Sequence, residues 1–238
     1  MKASAIIVAA GSGVRLGHST PKAFVPLGGA PLLSYSLEAL AHVDGIGEAI
    51  ITLPSGMESA ARTEIRRAGL DLPVKLTPGG AERQDSVRIA LALTSALAEI
   101  VVVHDAARPF ATSANFAGVI AAAARAGAAI AAIPLADTLK QVSEPNLIVG
   151  PVPRAGLWLA QTPQAFRRDL LIEAHRRALA AGIVATDDAD LVQRLGATVE
   201  VVAGATLNFK ITTADDLAVA AAIVAARADR SAPSSSNR

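Results

Sequence analysis

A short segment near the N-terminus combines the residue types that bind phosphate groups. An apolar run over residues 5–8 is followed by small residues that include Gly11 and Gly13, and Arg15 and Lys22 then follow seven positions apart. Small residues let backbone N–H groups approach phosphate oxygens, and the two cations offset part of the phosphate charge. The segment therefore predicts a loop that wraps the phosphates of a nucleoside triphosphate.

Two other interpretations of this segment stay open on the residues alone. A dinucleotide-binding turn requires a third glycine or alanine at position 16, where the chain has Leu16, and Gly17 comes one residue too late. Arg15 is a further objection, because the phosphates of a dinucleotide are bound mainly by backbone amides. The remaining interpretation is a glycine-rich turn that binds no ligand.

A second pair of glycines precedes a predicted helix. Gly79 and Gly80 are followed by Arg83, Asp85 and Ser86 in the first turn of that helix. Helix N-termini offer unpaired N–H groups and a partial positive charge, so this turn could bind a phosphate or the edge of a base. Asp85 could equally be a helix cap, with the glycines as an ordinary turn.

An aspartate and an arginine follow another apolar run. Asp105 comes at the end of this run and Arg108 three residues later. An aspartate at the end of a buried strand is well placed to hold a metal ion or a ribose hydroxyl, and Arg108 could pair with it or face a substrate phosphate. The alternative is a surface ion pair, which contributes under about 1 kcal/mol.

Two further segments carry charged residues at predicted helix starts. The motif over residues 186–188 is explained as well by a threonine cap with two acids, favoured by the helix dipole, as by a ligand role. Residues 208–212 predict a short strand in which Lys210 is one ammonium among apolar neighbours. Residues 213–216 then have the spacing of a capping box and begin the last helix.

Short β-branched runs alternate with longer helical patterns along the chain. The predicted strands are Ala5–Ala9, Ala49–Leu53, Val74–Thr77, Ile100–His104, Ala128–Ile133 and Thr198–Val202, and the predicted helices are Leu32–Ala41, Glu58–Ala68, Asp85–Leu97, Ala114–Ala126, Leu170–Ala181 and Asp188–Leu195. Most strand runs are apolar without alternation, as in a parallel sheet covered by helices on both faces. The sequence predicts an α/β fold with a doubly wound, mostly parallel, Rossmann-like sheet. Ligands bind at the carboxyl ends of such strands, where the candidate residues lie.

Residues 137–161 interrupt this alternation and predict a protruding antiparallel β-arm. Residues 139–142 and 148–152 can pair across the turn at 143–146. A two-stranded hairpin is marginal in water and its apolar residues need cover, so we expect the arm to rest on a second copy of the chain in a homodimer. Trp158, the single tryptophan, is expected to pack in the protein rather than stack on a ligand.

Composition limits the class of protein. The 238 residues, 52% of them hydrophobic, suit one domain over residues 1–226, and the serine-rich end predicts a disordered tail over 227–238. A net charge of +1 gives no electrostatic indication of a nucleic acid or an anionic membrane as partner. The chain has no cysteine, which excludes disulfides, and its four histidines lack metal-ligand spacing. The apolar run 3–10 is short for a secretion signal, and the alanine-rich run 119–133 contains a charge and is not expected to span a bilayer.

The motifs, taken in order, resemble those of a known family. The ordered set is Ala9-Ala10-Gly11-x-Gly13-x-Arg15, Pro21-Lys22, Gly79-Gly80-x-x-Arg83-x-x-Ser86-Val87, His104-Asp105-Ala106-Ala107-Arg108-Pro109, Thr162-Pro163-Gln164, Thr186-Asp187 and Lys210. It closely resembles the motifs of the 2-C-methyl-D-erythritol 4-phosphate cytidylyltransferases over nearly the whole domain. Each motif is weak alone, but their order and spacing together are specific.

The resemblance implies a reaction and a fold. A sugar-alcohol phosphate attacks the α-phosphorus of CTP and gives a CDP-alcohol and pyrophosphate, in the non-mevalonate route to isoprenoids. The implied fold is the nucleotidyltransferase type of Rossmann-like sheet. The resemblance further implies a cytoplasmic homodimer and Mg²⁺ that is held mainly by the CTP phosphates, with Asp105 as a possible ligand.

The resemblance also assigns roles to residues. Arg15 and Lys22 would stabilise the transition state, while Arg154 and Lys210 would position the attacking phosphate. The implied nucleotide-binding residues are Val8, Ala9, Ala10, Gly11, Ser12, Gly13, Gly80, Arg83, Ser86 and Asp105, and the implied substrate-binding residues are Arg108, Thr138, Thr162 and Thr186. Ala81 and Asp190 depart from residues that are common in the family, and each affects one peripheral contact.

Three alternatives remain beside this function. The first is a sister cytidylyltransferase that acts on ribitol 5-phosphate. The second is a nicotinamide-dependent reductase, for which Leu16 is the main obstacle. The third is a nucleotide-binding regulator without activity, which should have lost one of Arg15, Lys22 or Lys210, whereas all three are present.

Overall fold

The computed structural model describes residues 2–13 and 20–231. The strands within that part of the chain are β1 (Ala3–Val8), β2 (Pro26–Leu27), β3 (Ala30–Pro31), β4 (Ile46–Leu53), β5 (Val74–Pro78), β6 (Ile100–Asp105), β7 (Ala128–Pro134), β8 (Leu139–Ser143), β9 (Leu147–Val152), β10 (Trp158–Arg167) and β11 (Glu200–Ala203). The helices are α1 (Leu32–Ala41), α2 (Glu58–Arg67), α3 (Arg83–Leu91), α4 (Ser113–Ala126), α5 (Arg168–Ala181), α6 (Asp188–Gln193) and α7 (Ala214–Ser231). The predicted α/β class is confirmed.

The main sheet has seven strands in the order β11-β7-β10-β6-β1-β4-β5. All of its pairings are parallel except those of β10, which runs antiparallel to both β6 and β7. The chain moves outward from β1 to β4 and β5 and then returns to the other side of β1 with β6. A doubly wound sheet binds ligands at such a reversal, so the carboxyl ends of β1 and β6 are the expected site.

Helices cover both faces of this sheet because neighbouring strand residues point in opposite directions. Ile7 packs on one face with Leu37 of α1 and Phe116 of α4. Ile6 packs on the opposite face with residues of α3, α5 and α6, among them Leu171. All five side chains are fully buried. The strand interior is thus apolar on both faces, as predicted from runs without alternation.

The strand β10 is the main element that the predicted element list lacks. It fills the sheet position between β6 and β7, and residues 161–166 of it are buried. Its sequence gives a weak strand signal, because glutamine, threonine and Pro163 interrupt it. The prediction of a strand over 208–212 was wrong, since this segment is a loop whose Ile211 N–H donates to the Ala107 carbonyl at 2.8 Å.

The predicted arm is present as the hairpin of β8 and β9, which pair antiparallel. It ends earlier than position 161, because Trp158 already pairs with Pro134 at the end of β7. Trp158 does not pack as expected, since 47% of it is exposed. The last helix continues to Ser231, so the predicted start of the tail at residue 227 was too early. None of the described helices is long and apolar enough to cross a membrane.

Candidate active site

A cleft opens where the sheet reverses its strand order. Its volume is about 390 Å³, and it is lined by residues 8–13, 22–23, 80–83, 86, 105–107, 210 and 212. These residues lie at or after the carboxyl ends of β1 and β6, between β5 and the first turn of α3, or in the loop before α7. The volume lies in the range of about 300–1,000 Å³ that is typical of small-molecule sites. The cleft is therefore lined by described residues of the predicted phosphate-binding segment, of the glycine pair before α3 and of the segment that begins at Asp105.

Lys22 lies beside the glycines that follow β1. The Lys22 N–H donates to the Gly11 carbonyl at 3.1 Å. Gly13 has a φ of +75°, and a Cβ there would lie 3.1 Å from the Lys22 nitrogen. Glycine is needed at this position for both reasons. Arg15, the other predicted cation of this loop, lies outside the described residues.

The glycine pair before α3 packs directly on the loop after β1. A Cβ on Gly79 would overlap the Ala10 Cβ, so a larger residue would push the two segments apart. The Gly80 N–H donates to the Ser86 hydroxyl at 3.0 Å. Glu82 and Asp85 form a capping box at the start of α3. Asp85 therefore takes part in capping, although the cap residue is Glu82, and Gly80 and Ser86 also line the cleft.

Three charged side chains that line the cleft contact one another. Arg83 Nε donates to Asp105 Oδ1 at 2.8 Å, and Lys210 Nζ donates to Asp105 Oδ2 at 2.7 Å. Burial alone would raise the pKa of Asp105, but Arg83 and Lys210 outweigh that effect and hold this pKa far below its ordinary value. The carboxylate stays ionised and fixes the position of both cations.

A second, smaller cavity of about 200 Å³ adjoins the cleft. The two cavities share Arg83, Asp105 and Lys210. Three of the four predicted substrate-binding residues line the smaller cavity, namely Arg108, Thr162 and Thr186. Arg108 donates to the carbonyls of Asn208 and Ala160, at 2.9 and 3.2 Å. The alternative in which Arg108 pairs with Asp105 is wrong.

Thr162 lines the smaller cavity and also makes hydrogen-bond contacts that the sequence did not indicate. Its hydroxyl accepts the Asp105 N–H at 3.0 Å and lies 3.1 Å from Nδ1 of His104. His104 is fully buried, and its ring lies 5.0 Å from that of Phe116. Burial, with the charge of Arg108 nearby, lowers the pKa of His104 to about 4 although Asp105 opposes the shift. Thr162 and His104 thus hold the backbone that carries Asp105.

We expect His104 to make stability fall between pH 6.5 and 4. The unfolded chain takes up this proton near the ordinary pKa of about 6.5, and the folded chain only near 4, so acid favours unfolding by up to about 3 kcal/mol. Urea unfolding at several pH values measures this slope, which should become smaller in His104→Gln. The exposed His42→Gln is the control and should keep the wild-type slope. An unchanged slope in His104→Gln would contradict the account.

The remaining predicted residues lie on the arm and do not line either cavity. Thr138 and Arg154 are exposed, and an Nη of Arg154 donates to the Ala136 carbonyl. Sequence reasoning in turn missed Gln161, which accepts from Asn208 Nδ2 at 3.2 Å and donates to Ala205 at 2.8 Å. No motif or spacing marked this glutamine, because its partners lie more than 40 positions away in the chain.

The described residues offer limited protein ligands for a metal ion. They contain no group of three or more histidine, cysteine or acidic side chains that could hold one. Asp105 faces the cleft, but each of its oxygens is already paired with a cation. A divalent ion that enters with a nucleotide would therefore depend on phosphate oxygens for most of its ligands.

Comparison with known proteins gives a consistent result. The family model for 2-C-methyl-D-erythritol 4-phosphate cytidylyltransferase matches residues 3–226. The protein of that name from Pelotomaculum thermopropionicum is 41% identical, over 96% of this chain and 97% of its own. Its counterpart from Deinococcus radiodurans is 45% identical, over 93% of this chain and 89% of its own.

A solved structure agrees with both relatives. The crystal structure of 2-C-methyl-D-erythritol 4-phosphate cytidylyltransferase from Thermus thermophilus is 39% identical in sequence. It matches 94% of this chain and 100% of its own, with a TM-score of 0.79. The matches span the cleft, the sheet and the arm. The chain belongs to the family of 2-C-methyl-D-erythritol 4-phosphate cytidylyltransferases.

Proposed function

We propose that the cytidylyl transfer of this family takes place where the two cavities meet. CTP occupies the larger cavity, with its phosphates along the loop after β1, and 2-C-methyl-D-erythritol 4-phosphate occupies the smaller one. The observation that carries this assignment is that both cavities share Arg83, Asp105 and Lys210. Two anionic substrates in these cavities would meet at a common boundary that carries two cations.

The reaction needs no side-chain nucleophile. A phosphate oxygen of the sugar-alcohol phosphate bonds to the α-phosphorus of CTP, the bond from that phosphorus to the bridging oxygen breaks, and pyrophosphate leaves with the electron pair. The protein's contribution is then to position the reactants and to place cations where negative charge develops. We assign that role to Lys22 and Arg15 on the CTP side and to Lys210 on the side of the attacking phosphate.

We propose Mg²⁺ as the metal of this reaction. The triphosphate oxygens would supply most of its ligands, because both oxygens of Asp105 are paired. When bound, a divalent ion would neutralise charge on the transferring group and on the leaving pyrophosphate. The residues of the loop act beside it by binding the remaining phosphate oxygens through Lys22 and backbone N–H groups.

We also propose that the active protein is a cytoplasmic homodimer. The arm exposes apolar residues that a partner would cover, since Leu147, Ile148 and Val149 are each more than 60% exposed. Thr138 and Arg154 lie on this arm and away from their own cavities, which suits a role at the site of the partner. The cytoplasmic location follows from the proposed substrate, because CTP is an intracellular metabolite.

Pyrophosphate release tests the proposed function. The full chain is assayed with each of the four nucleoside triphosphates, with 2-C-methyl-D-erythritol 4-phosphate or ribitol 5-phosphate as acceptor, and with or without excess chelator. We expect turnover with CTP, the methylerythritol phosphate and Mg²⁺, and its loss in chelator. Preference for ribitol 5-phosphate would favour the sister enzyme, and robust turnover in chelator would contradict the metal assignment.

A further inference from the structure

The two acids of the motif at residues 186–188 have different roles in the folded protein. Asp187 is the cap of α6, since its Oδ1 accepts the Asp190 N–H at 2.9 Å. Asp188 is a buried residue whose side chain is 1% exposed. Its Oδ2 accepts from Arg83 Nη1 at 2.8 Å, and its Oδ1 lies 3.0 Å from His175 Nε2. The predicted threonine cap was therefore wrong, since Asp187 is the cap residue, and capping leaves Asp188 unexplained.

Asp188 begins a continuous row of charged contacts that ends in the active site. Arg83 contacts Asp188 through Nη1 and Asp105 through Nε, and Asp105 contacts Lys210. The side chains at the inner end of this row are buried, with 2% of His175 and 1% of Asp188 exposed, whereas 37% of Lys210 is exposed at the other end. The row connects α5 and α6, which pack on one face of the sheet, to the cation at the boundary of the two cavities.

We propose that Asp188, held by His175, is a positioning residue that fixes Arg83 and, through Asp105, sets the position of Lys210. Each of the two carboxylates takes one nitrogen of the Arg83 guanidinium. An arginine released from Asp188 can take both oxygens of Asp105 in a bidentate pair. Lys210 would then lose its acceptor and its fixed position. The inference rests on the proposed function, because Lys210 is assigned there to the attacking phosphate.

A stabilising role alone is the competing explanation for this buried pair. Removal of one partner of a buried ion pair leaves an unpaired charge and destabilises the fold, whatever the activity. The two explanations differ in one respect. If Asp188 acts through Arg83, its substitution has no further effect on catalysis once Arg83 is gone, whereas effects of independent origin multiply.

The test is a double-mutant cycle on the full chain with Asp188→Asn and Arg83→Gln. The asparagine keeps the size and shape of the side chain but removes the negative charge that holds Arg83 against the pull of Asp105. We expect Asp188→Asn to lower kcat/KM for 2-C-methyl-D-erythritol 4-phosphate about 10- to 100-fold, as outer partners of functional residues do. In the Arg83→Gln background, we expect no further loss. The matched control is Asp190→Asn, which removes a carboxylate of the same helix that pairs with Arg194 at the surface and should keep wild-type kinetics.

The cycle separates this inference from the proposed function. Wild-type protein without cytidylyl transfer would overturn both. Two results with an active wild-type protein would overturn the positioning role alone. In the first, Asp188→Asn lowers the melting temperature but not kcat/KM. In the second, Asp188→Asn lowers kcat/KM by the same factor with and without Arg83→Gln. Should Asp188→Asn fail to fold, His175→Ala and His175→Gln decide, because glutamine can still donate to Asp188. We then expect His175→Ala to lower kcat/KM and His175→Gln to restore it, and equal values would overturn the inference.

Discussion

Lys22→Ala should lower kcat about 100-fold or more and change the KM for CTP far less, as is typical when a charge that stabilises the transition state is removed. Lys22 lies in the cleft next to the glycines of the phosphate loop. Negative charge on the phosphates is redistributed as the bond to pyrophosphate breaks. A cation there therefore stabilises the transition state more than it stabilises the complex with CTP. Steady-state kinetics with CTP varied at saturating acceptor measures both constants.

Two controls accompany this measurement. Lys2→Ala removes an exposed lysine far from the cleft and should leave both constants unchanged. Lys22→Arg keeps a cation of different shape and should retain part of the activity. A rise in KM at unchanged kcat in Lys22→Ala would mean that Lys22 only binds the nucleotide.

Replacement of the hairpin of β8 and β9, residues 139–152 of the arm, by a short Gly-Ser turn should produce a monomer and abolish activity together. The arm places Leu147, Ile148 and Val149 in solvent within one chain, and such a patch requires a partner. The change leaves Lys22 and Lys210 intact in their own cleft. Analytical ultracentrifugation and pyrophosphate release on the same sample measure both effects. A trimmed dimer with wild-type turnover would refute the role of the arm.

Mixed dimers show whether the arm serves the partner's site. Arg154→Ala damages the arm and Lys22→Ala damages the cleft, so each homodimer should be nearly inactive. After subunit exchange, half of the dimers contain one of each chain, and one of their two sites has an intact cleft and an intact arm. Recovery of about a quarter of wild-type activity is then expected from twofold symmetry. No recovery in a confirmed mixed dimer would place Arg154 at its own site.

The sequence predicted the parallel strands of the sheet well, because the apolar run that forms each of these strands is visible in the local sequence. The predicted range of α1 is confirmed residue for residue, and β1, β4, β5 and β6 were found within a few residues of their bounds. The strand β10 escaped prediction because it is polar, contains Pro163 and gains its place from pairing with β6 and β7. Its stability comes from tertiary contacts that a local pattern does not express.

The same distinction holds for the site. The loop with Gly11 and Gly13 could be predicted because glycine spacing is a local property. The burial of Asp188 could not, since it depends on Arg83, which lies 105 positions away in the chain. Local patterns identified candidate charged residues of the site, but which of them contact one another depends on the tertiary fold.

Isotope transfer tests the central claim most directly. The protein is incubated with CTP, Mg²⁺ and 2-C-methyl-D-erythritol 4-phosphate whose phosphate oxygens carry ¹⁸O, and the products are examined by ³¹P NMR and mass spectrometry. Direct attack of that phosphate on the α-phosphorus predicts that all of the label stays in the CDP-alcohol product. The oxygen that bridges its two phosphorus atoms should be labelled, and the pyrophosphate should be unlabelled. Label in the pyrophosphate, or CTP consumed without a labelled diphosphate product, would contradict the account.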